Sequence, residues 1–540
     1  MAKNQAAWTV MIYLAGDNNL TTECMFALTE MKKAALTDNF NVVAQFDPND
    51  PYLPSHRYEI NKAKTPSLYP DIIGCARYYV GQEEVCFTKE SVQAKTLAHQ
   101  RREARKLRNK PLEKASLTPA KASREVSNDT DTGSPITLYN FISFCLQEYP
   151  ADHYMVVLSG HAGGTERDYL LKDESSARSL TFNEMKQVFR RIKKDRDGQL
   201  IDIIGMDNCL MSMAEICYEL RGVAEMVVGC ESFSPTSGWP YRQILERLCK
   251  DFAKPKVPKG QSLAAEAAKT IVDEYVNYYA TYWVAGLSVT QSALDVGKVK
   301  ELRRKINELA VVMEKKLLAE AKAKKSKRKN SFENALLLAH WEAQSYNGEQ
   351  YVDVYDFCDC LERRVGPGSI ANSCQSVKDF IANEFVLRSC YCGAVYQYSY
   401  GVSIYFPWSQ IASSYWNLDF VDKRKGPGWG SFLEAYTHLT RRSPRIPRGA
   451  KKAQLEALNA RAAYPGSGNG SVEHPMESGE SVTSHRMLYD RMLYDRMLYD
   501  RMGGQNRIHS MRNPPDRFIP DKCVRDAENA WKGQKILRLR

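Results

Sequence analysis

No stretch of this 540-residue chain is apolar for long enough to span a membrane. The N-terminal Met1-Ala-Lys-Asn-Gln-Ala-Ala7 is too short and too polar for a secretory leader. The fourteen cysteines lack the spacing of a zinc site. Cys358-Asp-Cys360 and Cys390-Tyr-Cys392 leave one residue between thiols, tighter than structural zinc sites use, in surroundings apolar enough for a core. They read as buried free thiols rather than ligands. Cysteines without a leader imply a reducing compartment, so a soluble cytoplasmic protein is expected. The formal charge is +11, but the basic segments have no interleaved aromatics, so charge alone supports nucleic-acid binding and that reading is the weaker one.

What is present is core-forming sequence, 43% hydrophobic, enough for two domains plus extensions. Ile201-Asp-Ile-Ile-Gly-Met206 is a largely apolar, β-branched run of the kind found in strands buried on both faces. It stops at Asp207, and Leu210, Met213, Ala214 and Cys217 then follow at helical spacing. Cys209 is therefore expected at a strand-to-helix junction, where a helix N-terminus would lower the pKa of its thiol. His153-Tyr-Met-Val-Val-Leu-Ser159 is a second buried strand, running into Gly160-His161-Ala162-Gly163-Gly164. Packing gives little reason for a histidine among glycines at a strand end. If the two strands are parallel neighbours, His161 and Cys209 share one edge of the sheet, and nucleophilic thiol chemistry with histidine as acid–base follows.

Leu158-Ser-Gly-His-Ala-Gly-Gly164 and Met206-Asp-Asn-Cys-Leu-Met211 resemble the dyad motifs of clostripain-like cysteine peptidases, in the clan of caspases, legumains and gingipains. Trp8-Thr-Val-Met-Ile-Tyr-Leu-Ala-Gly-Asp-Asn-Asn-Leu20, Asp131-Thr-Gly-Ser-Pro135, Gly238-Trp-Pro-Tyr241 and Gly401-Val-Ser-Ile-Tyr-Phe-Pro407 support the resemblance, which reaches to about residue 440. It implies a caspase-haemoglobinase-like α/β/α sandwich with a mainly parallel sheet. It also implies Cys209 as nucleophile, His161 as acid–base, and the backbone N–H groups of Ala162 and Cys209 as oxyanion donors. The family usually has glycine where this chain has Ala162, a residue with the same N–H but fewer backbone conformations. Asp207 matches the acidic residue behind cleavage after Arg or Lys; its bland alternative is a helix cap.

Taken in order, Trp8–Ala15, Leu20–Leu36 and Phe40–Phe46 read strand–helix–strand. In the intervening loop Asp17 either shapes the site or, with Asn19, caps the following helix. From His99 to Gly133 the chain is crowded with Arg and Lys, an exposed insertion and, by the resemblance, a candidate self-cleavage segment. Leu180–Phe189 reads as a helix with Thr181 and Glu184 forming a capping box. Ala224–Cys230 is another strand, leading into Glu231-Ser-Phe-Ser-Pro-Thr-Ser-Gly-Trp239, expected to wall the substrate cleft with Glu231 among its binding residues. The expected division is a catalytic domain over 1–250, a mixed α/β region over 251–445, and a tail over 446–540. Within the mixed α/β region, Val296–Lys325 is a long amphipathic helix, and Cys392–Tyr398 and Val402–Phe406 read as strands. The tail holds a Gly/Ser linker and three Arg-Met-Leu-Tyr-Asp repeats, a partner-binding segment or a repeat expansion.

The function expected is thus a cysteine endopeptidase acting on polypeptides after Arg or Lys, without a cofactor; a calcium requirement is not readable from the residues. The rival reading is a catalytically silent homologue serving as an interaction scaffold.

Overall fold

Apolar runs without polar alternation need cover on both faces, and five of them form the parallel centre of the structure. The computed structural model describes residues 5–49, 55–60, 77–80, 83–85, 131–254, 262–281, 288–322, 331–347, 350–422 and 426–442. The strands are β1 (Ala6–Gly16), β2 (Phe40–Pro48), β3 (His56–Ile60), β4 (Arg77–Val80), β5 (Glu83–Val85), β6 (Ala151–Ser159), β7 (Leu170–Asp173), β8 (Arg178–Leu180), β9 (Ile201–Asp207) and β10 (Ala224–Gly229), followed by β11 (Val289–Asp295), β12 (Ser345–Tyr346), β13 (Tyr351–Asp353), β14 (Val386–Cys392) and β15 (Ser403–Tyr405). The main sheet is ten-stranded, in the order β14-β11-β10-β9-β6-β1-β2-β3-β4-β5. The pairings from β10 through β2 are parallel, while the flanking strands on both sides are antiparallel.

Side chains alternate between two cores. Val156, Leu158, Ile204 and Met206 enter one, under the helices Pro135–Glu148, Phe182–Asp195 and Val299–Lys322. Met155, Val157 and Ile203 enter the other, under Thr21–Lys33, Tyr241–Phe252 and Leu263–Ala280. Each fully buried Val, Leu or Ile side chain contributes roughly 1.5–3 kcal/mol, so the two layers fix the strand register firmly. This is the expected α/β/α sandwich. The Thr181 capping box is formed, with Glu184 N–H on the Thr181 hydroxyl at 3.2 Å and Thr181 N–H on Glu184 at 2.9 Å.

The expected boundary near residue 250 falls within one continuous sheet, because β11 and β14 extend it beyond β10. The strand expected over Cys392–Tyr398 lies earlier, at Val386–Cys392. Helix formation after Cys209 is delayed to Ala214–Glu219. The backbone N–H groups of Leu210, Met211 and Ser212 instead donate to Ser232 O, Cys230 O and Cys230 O, each at 2.9 Å. Tertiary hydrogen bonds thus override the helical spacing. Among the described residues no helix is long and apolar enough to cross a membrane. The basic segment over 99–130 and the tail over 446–540 lie outside the described residues.

Candidate active site

Strand register assembles the site. Ser159 of β6 pairs with Asp207 of β9. His161 and Cys209 each follow two residues later, so both leave the sheet at the same edge, where open α/β sheets place their sites. Asn208 ties the two exits together, its amide donating to Gly160 O at 2.7 Å. Of the described cysteines only Cys209 and Cys392 are partly exposed rather than buried.

The Cys209 loop is strained and held. Leu210 has φ 62°, a left-handed conformation that costs a leucine on the order of 1 kcal/mol or more. Hydrogen bonds from Leu210, Met211 and Ser212 to the 230–232 backbone offset that cost. The Ser234 N–H reaches the Cys209 sulfur at 3.3 Å. Contrary to the sequence expectation, no helix N-terminus activates the thiol, because the helix begins only at Ala214. Burial pushes its pKa up to about 11, the Ser234 N–H opposes this, and the Asp207 charge adds to it. At neutral pH Cys209 is a thiol rather than a thiolate.

His161 Nε2 lies 2.6 Å from Asn19 Oδ1. An amide oxygen only accepts, so the proton sits on Nε2 and Nδ1 carries the lone pair. Burial and the Lys172 ammonium hold the imidazole below its ordinary pKa, with Glu174 opposing. Ala162 forms an antiparallel bridge with Leu170. The bridging bonds are Gly163 N–H to Tyr169 O at 3.1 Å and Leu171 N–H to His161 O at 2.8 Å. Ala162's own N–H therefore points to the side away from Leu170. Gly163 is needed here, since a Cβ would fall 2.3 Å from the Tyr169 ring.

Asp207 is buried on the opposite face of β9 from Met206. Its Oδ2 accepts from Ser159 Oγ at 2.9 Å and Tyr241 Oη at 2.8 Å. Its Oδ1 is buried without a completed hydrogen bond, although the Trp239 N–H is near enough to favour the anion. Burial raises the pKa of this carboxyl; the Tyr241, Ser159 and Trp239 donors oppose it. Gly238, at φ 65°, lets the backbone approach, since a Cβ there would lie 2.9 Å from Oδ2. Asp207 caps no helix.

The other sequence candidates have their side chains buried. Glu231 is fully buried, its Oε2 accepting from Gly401 N–H at 2.9 Å, so its carboxyl faces the interior rather than the wall of a cleft. Asp17 is also buried and accepts from the Ser175 hydroxyl at 3.0 Å. Neither Asp17 nor Asn19 caps the first helix; Asn18 accepts from Leu20 N–H at 2.9 Å instead. Asp17, Asp47 and Asp173 each offer an oxygen within 4.8 Å of the others, an all-oxygen set suited to a hard cation. Asp131, next to this group, is pushed up to about 6 by burial and the Asp173 charge. The paired cysteines do not converge: Cys358 and Cys360 lie on the helix Val354–Val365, whereas Cys390 and Cys392 lie on β14. Sequence reasoning missed the roles of Asn19 and Asn208, whose signal was an asparagine within each loop that leaves a strand at this edge.

Comparison with known proteins adds a lineage. The sequence profile of the clostripain family matches residues 12–436. Clostripain of Hathewaya histolytica is 22% identical over 395 residues, covering 67% of this chain. The chain spans 66% of that relative's length. A secreted C11 cysteine protease from Bacteroides thetaiotaomicron, in complex with an irreversible peptide inhibitor, is 15% identical with a TM-score of 0.49, over 79% of this chain and 99% of that one. An inactive zymogen C11 protease from Parabacteroides distasonis is 18% identical with a TM-score of 0.48, over 78% of this chain and 98% of that one.

Proposed function

The chain belongs to the clostripain family, and from that premise we propose that it is a cysteine endopeptidase with Cys209 as nucleophile and His161 as acid–base. The observation that carries the reading is the Ser159–Asp207 register, from which both residues follow at equal distance on one edge. The neutral thiol and neutral imidazole define the first step. His161 Nδ1 takes the thiol proton as sulfur attacks the scissile carbonyl, and charge builds on the carbonyl oxygen. The N–H groups of Ala162 and Cys209 stabilise that oxyanion. Collapse breaks the C–N bond, the imidazolium protonates the leaving amine, and a thioester remains. Water, deprotonated by the same nitrogen, releases the acid and restores the thiol. Asn19 holds the ring in the tautomer this needs.

Asp207 supplies the preference for Arg or Lys before the scissile bond, its unbonded Oδ1 supporting that role. Glu231 and Asp17 take structural roles. No cofactor enters the chemistry. We place the chain in a reducing compartment on the strength of its free thiols, although the Bacteroides relative is described as secreted; fractionation of cells decides. The second reading, a silent scaffold, draws on the thiol pushed up to about 11.

One experiment separates the two readings. The full chain should hydrolyse an arginyl amide and split within 100–133 into fragments that stay associated. Cys209→Ala should do neither, and His161→Ala should lose about 10²–10⁴-fold in turnover, both with unchanged far-ultraviolet circular dichroism. A folded Cys209→Ala protein that still turns over substrate would sink the enzyme reading.

A further inference from the structure

Glu231 lies inside the segment that holds the nucleophile loop. Its neighbours in sequence carry the contacts already described: Cys230 O and Ser232 O accept from residues 210–212, and Ser234 N–H reaches the Cys209 sulfur. The Glu231 side chain turns inward and accepts from Gly401 N–H at 2.9 Å. The preceding N–H, that of Tyr400, donates at 2.6 Å to Asp353 Oδ2. Two carboxyl groups served by consecutive backbone donors are held side by side, and Glu231 and Asp353 lie within hydrogen-bonding reach of each other. Both are completely buried. Glu231 Oε1 completes no hydrogen bond, although the Tyr346 hydroxyl is near enough to favour the anion. Two bare carboxylates in that position would repel in a medium of low dielectric, whereas one proton between them turns repulsion into a strong hydrogen bond.

We propose that Glu231 and Asp353 share a single proton, and that this acid pair positions the Cys209 loop by fastening it to the part of the chain that bears Tyr400 and Gly401. Asp353 is anchored in turn, its Oδ1 capping the helix Val354–Val365 through Asp356 N–H at 2.7 Å. Gly401 closes the link, its carbonyl accepting from the Ser212 hydroxyl at 2.8 Å. Glu231 and Asp353 are positioning residues; neither touches substrate. The ionisable groups facing the pair are the hydroxyls of Tyr346 and Tyr400, the Asp356 carboxylate and the thiols of Cys230 and Cys358. None is a cation that could replace the proton.

The role in catalysis rests on the peptidase reading, but the proton can be tested without substrate. Burial raises both carboxyls, Asp353 to about 7. Between the ordinary carboxyl range and those values the folded chain binds more protons than the unfolded one. Stability from the pair is therefore lost as pH rises through that window. Wild-type Tm should fall from pH 5 to 9, and Glu231→Gln should flatten that slope, since its amide donates to Asp353 without a titrating proton. In turnover at pH 7, Glu231→Gln should stay within about threefold of wild type, while Glu231→Ala should lose roughly tenfold or more in kcat with KM nearly unchanged. Asp353→Asn should reproduce the Gln result, and stands in for it if Glu231→Gln does not fold. Parallel Tm slopes in wild type and both amide variants would overturn the shared proton. Equal losses of kcat in Glu231→Gln and Glu231→Ala would overturn the positioning role. A wild-type chain without peptidase activity would count against the enzyme reading alone, because the Tm slope still decides the proton.

Discussion

The Asn208 side-chain amide donates to the Gly160 carbonyl at 2.7 Å, joining the residue before Cys209 to the residue before His161. Both groups are interior, Asn208 being only 1% exposed. The bond thus sets the distance between two loops that leave adjacent strands.

Removing that tie should disturb geometry more than stability. Asn208→Ala should lower kcat by roughly 10²-fold, the scale of a displacement of about 1 Å between reacting groups. KM should move little, and the fold should survive because the strand register is set by the two cores. A kcat unchanged from wild type would show that the loops hold their spacing without Asn208.

The state of the dyad has a pH signature. With the thiol pushed up to about 11, alkylation of Cys209 by a neutral reagent should accelerate about tenfold per pH unit from 7 to 10, following the thiolate fraction. Mass spectrometry of the labelled peptide would measure it. A plateau between pH 6 and 8 would instead reveal a thiolate–imidazolium pair. On the acid side, hydrolysis needs neutral His161. Its pKa lies below the ordinary value, so the acid limb of kcat/KM should fall below about pH 6.5.

Specificity should reside in Asp207. Its Oδ2 is engaged by Ser159 and Tyr241, and Oδ1 completes no hydrogen bond. A guanidinium or ammonium from substrate would satisfy that oxygen with a charge-assisted bond. Asp207→Asn keeps shape and removes charge. It should reduce kcat/KM for arginyl substrates by roughly 10²-fold or more, on the scale of a lost charged hydrogen bond, and for neutral substrates far less. Equal losses for both would make Asp207 a structural residue beneath the Gly238–Tyr241 turn.

Much of this arrangement was legible because strand-forming runs are local. The apolar segments ending at Ser159 and Asp207 declare themselves, and their placement beside one another brings His161 and Cys209 to one edge. The helix expected from Leu210 was wrong because the 230–232 backbone captures the N–H groups a helix would have used. Glu231, expected on the cleft wall, faces inward because its partners come from Asp353 and Gly401, far along the chain. Asn19 was read as a cap on local grounds, and only the folded loop brings it to His161.

Ala162 tests whether the oxyanion donor is backbone alone. The residue adopts no positive φ; the left-handed and extended-positive conformations of this loop fall on Gly160 at 150° and Gly164 at 63°. Alanine is therefore unstrained at this position, and its N–H points to the side away from Leu170. Ala162→Gly keeps that donor. It removes a buried methyl worth about 0.8 kcal/mol and adds backbone freedom to the unfolded chain, costing a further 0.5–1 kcal/mol or so. Stability should fall by roughly 1–2 kcal/mol in denaturant titration, on those two contributions, while kcat stays within about twofold of wild type, since the oxyanion donor is unchanged. A tenfold fall in kcat with the fold intact would mean that the methyl group itself shapes the site, and the N–H of Ala162 would lose its assigned part in stabilising the oxyanion.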